Sequence, residues 1–362
     1  MTPTRTLHDA GQSLWLDNIT RGIIDDGTLE RYIRDFDVTG LTSNPTIFEK
    51  AIGSGEHYDA QIADLAATVA DDDQIFFELA MADLRRACDL FADVHRRSAG
   101  LDGFVSLEVS PELAYDAEAT VAQAADLHAR MDRPNVFIKI PGTPEGLPAV
   151  EETIAAGIPV NVTLLFSSEH HLAAADAYYR GLERRVAAGL SPDVPSVASL
   201  FMSRWDKKVE GRTPAGLENR LGLAIGGRAY RNYRELLDSD RVQRLMNAGA
   251  RPQRLLWAST GTKDPAASDV LYVDGLVSPF TVNTMPDGTL EAFADHGTQP
   301  PVALPRDGGD ADEVLGGFEA AGISVDTLAA ELQQEGADSF VASWRTLLEA
   351  IASKRAALAG TA

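Results

Sequence analysis

Asn135-Val136-Phe137-Ile138-Lys139-Ile140-Pro141-Gly142 reads as a buried parallel strand with an ammonium group set inside it. Alternation along a strand places Val136, Ile138 and Ile140 on one face and Phe137 and Lys139 on the other. A buried lysine costs free energy unless it is partnered or neutral, and a neutral lysine is a nucleophile. The residues that could partner it are found by applying the same parity test elsewhere.

In Phe104-Val105-Ser106-Leu107-Glu108-Val109 the aliphatic face is Val105, Leu107 and Val109, with Ser106 and Glu108 opposite. In Ile158-Pro159-Val160-Asn161-Val162-Thr163-Leu164 the even positions are aliphatic, and Asn161 and Thr163 fall on the other side. Leu14-Trp15-Leu16-Asp17 divides in the same way. Four candidate strands thus carry aliphatics on one face and, on the other, a polar or ionisable group near the C-terminal end. A closed parallel barrel has this pattern: outward residues pack on a ring of helices, inward residues fill the interior, and chemistry collects where the strands end. An open doubly wound sheet more often shows apolar residues on both faces of its central strands. The bland alternative is four unrelated strand ends capped by loops, which does not account for their shared phase.

Composition fits an α/β (β/α)8 TIM barrel with extra helices and a C-terminal helical tail, in a single domain spanning 1–362. The chain has 362 residues, 44% of them hydrophobic, enough for one large core. Its 54 acidic and 32 basic side chains give a net charge of −22. That charge argues against nucleic acid and anionic membrane surfaces as partners, and a phosphorylated substrate would need a local cationic pocket. The single cysteine, Cys88, lies in a helical pattern and reads as a buried small residue, with no intramolecular disulfide possible. Residues 1–13 lack an apolar signal core, and no apolar run approaches the ~18 residues of a membrane span. A reducing, cytoplasmic location is expected.

Strands and helices alternate along the chain as βα units should. After the Asp17 strand the pattern predicts a helix over 26–34, a second strand over 38–45, and helices from about 45 to 100 with Asp71-Asp72-Asp73 as a turn. Ser110-Pro111-Glu112 signals a helix ending near Met131. The helix after Lys139's strand ends at Gly157, and Ser167 caps a long helix to Gly189. A sixth strand is predicted over 197–200, helices over 215–237 and 241–247, a seventh strand over 255–259, and an eighth around 273–277. The remainder, about 301–362, turns helical and is expected to cover the barrel.

A nucleophilic lysine needs an interior that disfavours its charge, because a lysine of ordinary pKa is a free amine only about one part in a thousand near neutral pH. Such an amine attacks a carbonyl and loses water to give an iminium, an electron sink that permits cleavage of the adjacent carbon–carbon bond. Dehydration and hydrolysis need an acid/base and a held water. Glu108, one strand away, suits the first, and Thr163 suits the second. Asp17 can take the proton of a substrate hydroxyl as the bond breaks. Asn44 and Asn161 offer neutral hydrogen bonds to substrate hydroxyls.

With these residues in place the chain resembles the transaldolases, in their longer bacterial form. The similarity covers residues 14–285 through Thr42-Ser43-Asn44-Pro45-Thr46-Ile47-Phe48, Val105-Ser106-Leu107-Glu108-Val109-Ser110, Phe137-Ile138-Lys139-Ile140-Pro141, Asn161-Val162-Thr163-Leu164-Leu165-Phe166 and Ala258-Ser259-Thr260-Gly261-Thr262-Lys263. The resemblance implies a Schiff base on Lys139, water handled by Glu108 and Thr163, Asp17 as the acid/base of cleavage, and Asn44 and Asn161 holding the ketose fragment. It also implies transfer of a dihydroxyacetone unit from sedoheptulose 7-phosphate or fructose 6-phosphate to erythrose 4-phosphate or glyceraldehyde 3-phosphate. That reaction belongs to the non-oxidative pentose phosphate pathway and uses no metal or organic cofactor. Ser199 and Arg204 match the serine and arginine that hold the substrate phosphate, and an arginine fork beside a hydroxyl suits a dianion. Shorter forms place an arginine just after the seventh strand. Here the first cation is Lys263, with Ser259 before it, and a solvated loop lysine is the other reading.

Two further functions share these residues: a Schiff-base aldolase that releases free dihydroxyacetone, and a barrel that binds sugar phosphates without turning them over. Glu169-His170-His171 is no metal motif, since adjacent helical residues diverge by about 100°. Lys207-Lys208 reads as a polar helix face, and Gly226-Gly227 as a close helix contact without the setting of a dinucleotide fingerprint.

Overall fold

Val136–Pro141 is a strand, buried along its whole length, in the computed structural model of the chain, which describes residues 2–298 and 301–359. It is β4 of a barrel. The others are β1 (Gln12–Leu16), β2 (Val38–Leu41), β3 (Val105–Glu108), β5 (Val160–Leu165), β6 (Ser196–Phe201), β7 (Arg254–Ala258) and β8 (Thr281–Met285). Each strand pairs in parallel with the next, and β8 closes on β1. Helices between the strands form the outer layer.

The expectation for the eighth strand is corrected. Residues 273–277 are the end of a short helix, Leu271–Asp274, and the loop after it, and Val273, Leu276 and Val277 are buried there. β8 escapes an aliphatic-run test because Thr281, Asn283 and Thr284 are polar. They are buried all the same: Gln12 Nε2 donates to Thr281 Oγ1 at 2.8 Å, and Thr260 Oγ1 donates to Asn283 Oδ1 at 3.0 Å. A hydrogen-bonded polar group is tolerated in a sheet interior, and hydropathy cannot see the partner.

The predicted helix 26–34 is Thr28–Asp35, with Gly27 before it at φ +78°, and a short helix that was not predicted, Arg21–Asp25, precedes it. The stretch 45–100 holds Pro45–Gly53, Asp59–Ala66 and Asp72–Arg97, with Asp71 capping the last. Ser110-Pro111-Glu112 opens only a single 3-10 turn; the long helix starts at Ala117, where Asp116 Oδ1 accepts from Ala119 N at 3.0 Å. Ser167 caps Ser168–Ala187 as expected, accepting from His170 N. Gly226 and Gly227 are contact glycines: an added Cβ would stand 2.5 Å from Leu276 Cδ2 in one case and 2.7 Å from the Gly308 carbonyl in the other.

Polar and aromatic groups seal the interior below Lys139. At the N-terminal end Arg254 pairs with Asp102 at 3.3 Å, and Ser13 and the Trp15 indole donate to the same carboxylate at 2.5 and 2.9 Å. Above them Phe104 stacks on Phe137 at 4.1 Å, and Trp15 lies 6.1 Å from Phe137. Gly40 is obligatory beside this plug, because a Cβ there would lie 2.5 Å from the Trp15 ring.

The tail folds as helices Ala311–Ala320 and Val325–Ala359; its residues 360–362 lie outside the described residues. The second helix crosses the C-terminal ends of the strands. Gln333 bonds the ends of β4 and β5, Ser343 bonds Thr46 at 2.8 Å, and Lys208 reaches Glu331 and Glu335. Trp344, 1% exposed, packs edge-on against Phe76 at 4.8 Å. Trp344→Ala should lower stability by about 3–5 kcal/mol, the range for deleting a large buried aromatic. Denaturant unfolding measures it, and a loss below about 1 kcal/mol would show that this helix is only loosely attached.

Candidate active site

Strand register sets the chemistry. Glu108 of β3, Lys139 of β4 and Asn161 of β5 are aligned partners, so three side chains from three strands meet at one level of the barrel. Lys139 Nζ donates to Glu108 Oε2 and to the Ser43 carbonyl, each at 3.0 Å. Lys139 is 4% exposed and Glu108 5%. Burial raises the Glu108 pKa above its ordinary 4.5, and the Lys139 charge opposes that rise. Glu108 Oε1 and Thr163 Oγ1 are both buried, with no protein hydrogen-bond partner among the described residues.

Thr163 owes its setting to an irregularity. The β5–β6 register slips between Val162 and Leu165, and Leu164 has φ +59°. A bulge of this kind at a strand end re-aims the residues beside it. Asn161 is held at both ends: its Nδ2 donates to Ser106 Oγ at 3.1 Å, and its Oδ1 accepts from Ser199 Oγ at 2.7 Å.

A cavity of about 520 Å³ opens above this layer. Asp17, Asn44, Lys139, Thr163, Ser199, Arg204, Ser259 and Lys263 all line it. Glu108 sits behind Lys139, and Asn161 lies beneath, fully buried. Asp17 follows β1 and accepts from Thr42 Oγ1 at 2.7 Å; Thr42 also bonds Thr284 of β8 at 2.7 Å. Burial raises the Asp17 pKa, with the Lys139 charge and the Thr42 hydroxyl pulling the other way. Asn44 caps the helix Pro45–Gly53, its Oδ1 accepting from Ile47 N at 3.1 Å. That bond leaves its amide N–H groups for the cavity.

One side of the mouth is cationic. Lys50, Arg204 and Lys263 line it, and none of them forms an ion pair among the described residues. Arg204 lies 5.4 Å from the Phe201 ring, and burial lowers its pKa. Lys263 is exposed overall but borders the cavity, where partial burial and then the Arg204 charge lower its pKa. The surroundings of Lys263 are therefore those of a pocket cation. Ser259 Oγ lies 3.1 Å from Ser203 Oγ, and its φ of +54° is a left-handed conformation costing roughly 1–2 kcal/mol for a residue with a Cβ.

Sequence reasoning missed Thr284 and Asp287, since both depend on β8. Asp287 lines the cavity and accepts from Asn18 Nδ2 at 2.7 Å. It also missed Phe340, whose ring centroid lies 5.6 Å from Lys139 Nζ. The Lys139-Ser43 bond involves a backbone carbonyl, which no side-chain pattern reveals. The histidine pair separates as expected: His170 Nδ1 accepts from Phe166 N at 3.3 Å, while His171 is buried edge-on against Tyr233 and held down to about 4 by burial. Cys88 is buried, and its thiol is pushed up to about 12.

A parallel barrel with a lysine–carboxylate pair under its C-terminal mouth, a second buried carboxylate and a cationic rim is built for covalent chemistry on anionic carbonyl compounds. The chain belongs to the family described as Transaldolase/Fructose-6-phosphate aldolase, which it matches over residues 14–351. It is 46% identical to the Transaldolase of Arthrobacter sp. (strain FB24), over 96% of both chains. It is equally identical to Transaldolase 1 of Streptomyces coelicolor, over 95% of this chain and 93% of that one. The Transaldolase of Mycobacterium ulcerans is 44% identical, over 98% and 97% respectively.

Burial at Asp17 and Glu108 favours the protonated form of both carboxyls. A carboxyl whose pKa is raised loses its charge as pH falls through that raised value, and keeps it above. Isotope-edited infrared titration, assigned with Asp17→Asn and Glu108→Gln, should place both midpoints above the ordinary 3.8 and 4.5. Midpoints at or below those values would mean that ion pairing to Lys139 outweighs burial.

Proposed function

We propose that the protein is a transaldolase that transfers a dihydroxyacetone unit between sugar phosphates through a Schiff base on Lys139. The observation that carries this reading is the buried Lys139–Glu108 contact at 3.0 Å on the floor of a cavity whose rim holds unpaired cations. Burial raises the affinity of Glu108 for a proton, and the nearest donor is the Lys139 ammonium. Attack requires the neutral amine, and Glu108, at 3.0 Å, stands where it can take the ammonium proton.

The amine attacks the C2 carbonyl of fructose 6-phosphate or sedoheptulose 7-phosphate, and the carbonyl oxygen takes up the proton that the attacking nitrogen gives up. Glu108 then protonates the departing hydroxyl through a water held by Thr163, and the iminium forms. The two unpaired oxygens, Glu108 Oε1 and Thr163 Oγ1, supply the hydrogen-bonding capacity that such a water needs. Asp17 accepts the C4 hydroxyl proton as the C3–C4 bond breaks. The bond's electrons pass into the iminium, giving an enamine, and the shortened aldose phosphate leaves. The enamine attacks the aldehyde of erythrose 4-phosphate or glyceraldehyde 3-phosphate, Asp17 returns its proton to the new alkoxide, and hydrolysis frees Lys139.

Asn44 offers amide hydrogens to the fragment's hydroxyls. Asn161, already bonded to Ser106 and Ser199, fixes the wall beneath it. Arg204 and Lys263, with Ser199 and Ser259, receive the phosphate of donor and acceptor in turn. The C-terminal helices act with the barrel as one domain. The cytoplasm, where the pentose phosphate pathway runs, is the proposed location. Among the described residues no helix is long and apolar enough to cross a membrane.

Incubation with fructose 6-phosphate followed by borohydride should leave a three-carbon adduct on Lys139, located by peptide mass spectrometry and absent from Lys139→Ala. Glu108→Gln should slow adduct formation by about 10²-fold or more, the scale of a lost general acid/base. An adduct on another lysine, or unchanged kinetics in Glu108→Gln, would refute these assignments. Arg204→Ala should raise KM for fructose 6-phosphate about tenfold or more while altering that for free dihydroxyacetone far less, and equal effects would remove Arg204 from phosphate binding.

A further inference from the structure

The helix Val325–Ala359 presents one continuous stripe to the site. Gln333, Gly336, Phe340 and Trp344 follow one another at spacings of three and four residues, which align on one helix face. Gln333, 8% exposed, donates from Nε2 to the Gly142 carbonyl at 3.1 Å and to the Leu164 carbonyl at 2.9 Å. Those carbonyls lie just past Lys139 on β4 and beside Thr163 on β5. Gly336 allows the helix to approach: a Cβ there would stand 3.0 Å from Leu164 Cδ2. Thr46 and Phe76 secure the stripe farther along, through Ser343 and Trp344. Phe340 lies between these anchors, 4% exposed, lining the cavity with its ring 5.6 Å from Lys139 Nζ.

We infer that Phe340 is a specificity-determining residue that shields the covalent intermediate on Lys139 from water, and so favours transfer to an acceptor over release of free dihydroxyacetone. The inference rests on the Schiff-base reading. The enamine has two fates. It can form a carbon–carbon bond to an aldehyde, whose oxygen takes the proton held by Asp17. Alternatively its carbon takes a proton, water adds to the resulting iminium, and the C–N bond breaks to give dihydroxyacetone and the free amine. The second route begins with delivery of a proton to the enamine carbon, and an aromatic ring lining the cavity there leaves a proton-carrying water neither room nor a hydrogen-bonding partner, whereas the water between Glu108 and Thr163 acts only once an iminium has formed. Gln333 is a positioning residue in this scheme, because it holds the ring's helix to the two strands that carry Lys139 and Thr163.

The test measures free dihydroxyacetone against sedoheptulose 7-phosphate formed from fructose 6-phosphate and erythrose 4-phosphate, alongside borohydride trapping on Lys139. Phe340→Ala should raise that ratio about tenfold or more, with the Lys139 adduct still trapped. Phe340→Leu, which keeps most of the apolar volume if the alanine variant unfolds, should raise it less, and Gln333→Leu should raise it with Phe340 intact. An adduct trapped in every variant with an unchanged ratio would overturn this inference alone. No adduct in the unsubstituted protein would overturn the Schiff-base reading and this inference together.

Discussion

The Lys139–Glu108 contact is the constraint around which the site is arranged. Two ionisable groups at about 5% exposure cannot be left unpaired in a barrel interior, and removing either one strands the other in a medium that disfavours charge. The barrel meets that demand by register. β3 and β4 align Glu108 with Lys139, and the loop after β2 brings the Ser43 carbonyl to the same ammonium. The pair is thereby fixed by backbone geometry, with little dependence on side-chain freedom. An arrangement of this kind suits a group that must change protonation state without losing its place.

The rest of the interior insulates that pair. Beneath it lie the stacked aromatics and the Asp102–Arg254 bridge, and above it lies the C-terminal helix. Polar groups at the cavity and just beneath it are held from behind: Thr42 fixes Asp17, Ile47 N fixes Asn44, and Ser106 fixes Asn161. Backbone strain is confined to two points at the site, Leu164 and Ser259, each next to a residue or hydroxyl that lines the cavity. Both are pinned by bonds to other elements, Leu164 through Gln333 and Ser259 through the Ser203 amide and hydroxyl.

Much of this was legible in the sequence, for a definable reason. Strands whose outward face is aliphatic and whose inward face is polar announce their own orientation, so Asp17, Glu108, Lys139, Asn161 and Thr163 could be placed on one wall by counting alone. The method failed where burial is achieved by hydrogen bonding, as in β8, and Thr284 and Asp287 were lost with it. It was blind to contributions set by three-dimensional crossing. The helical spacing of Phe340 and Trp344 in the last helix is visible in the sequence, but nothing in it shows that Phe340 and not Trp344 reaches Lys139. The cations Arg204 and Lys263 came through resemblance, because an unpaired cation on an acidic chain is recognised only once its neighbours are known.

The aromatic plug below Lys139 has a kinetic meaning. The floor below Lys139 is closed, and Arg204 and Lys263 line the cavity above it. An aldose phosphate that leaves and one that arrives are held by the same two cations, so they claim the same space. Under the proposed chemistry the first aldose must therefore depart before the second can approach, while the three-carbon fragment stays tethered to the lysine. The architecture thus enforces a sequence of events: the tether keeps half of one substrate in place while the doorway is exchanged between two others.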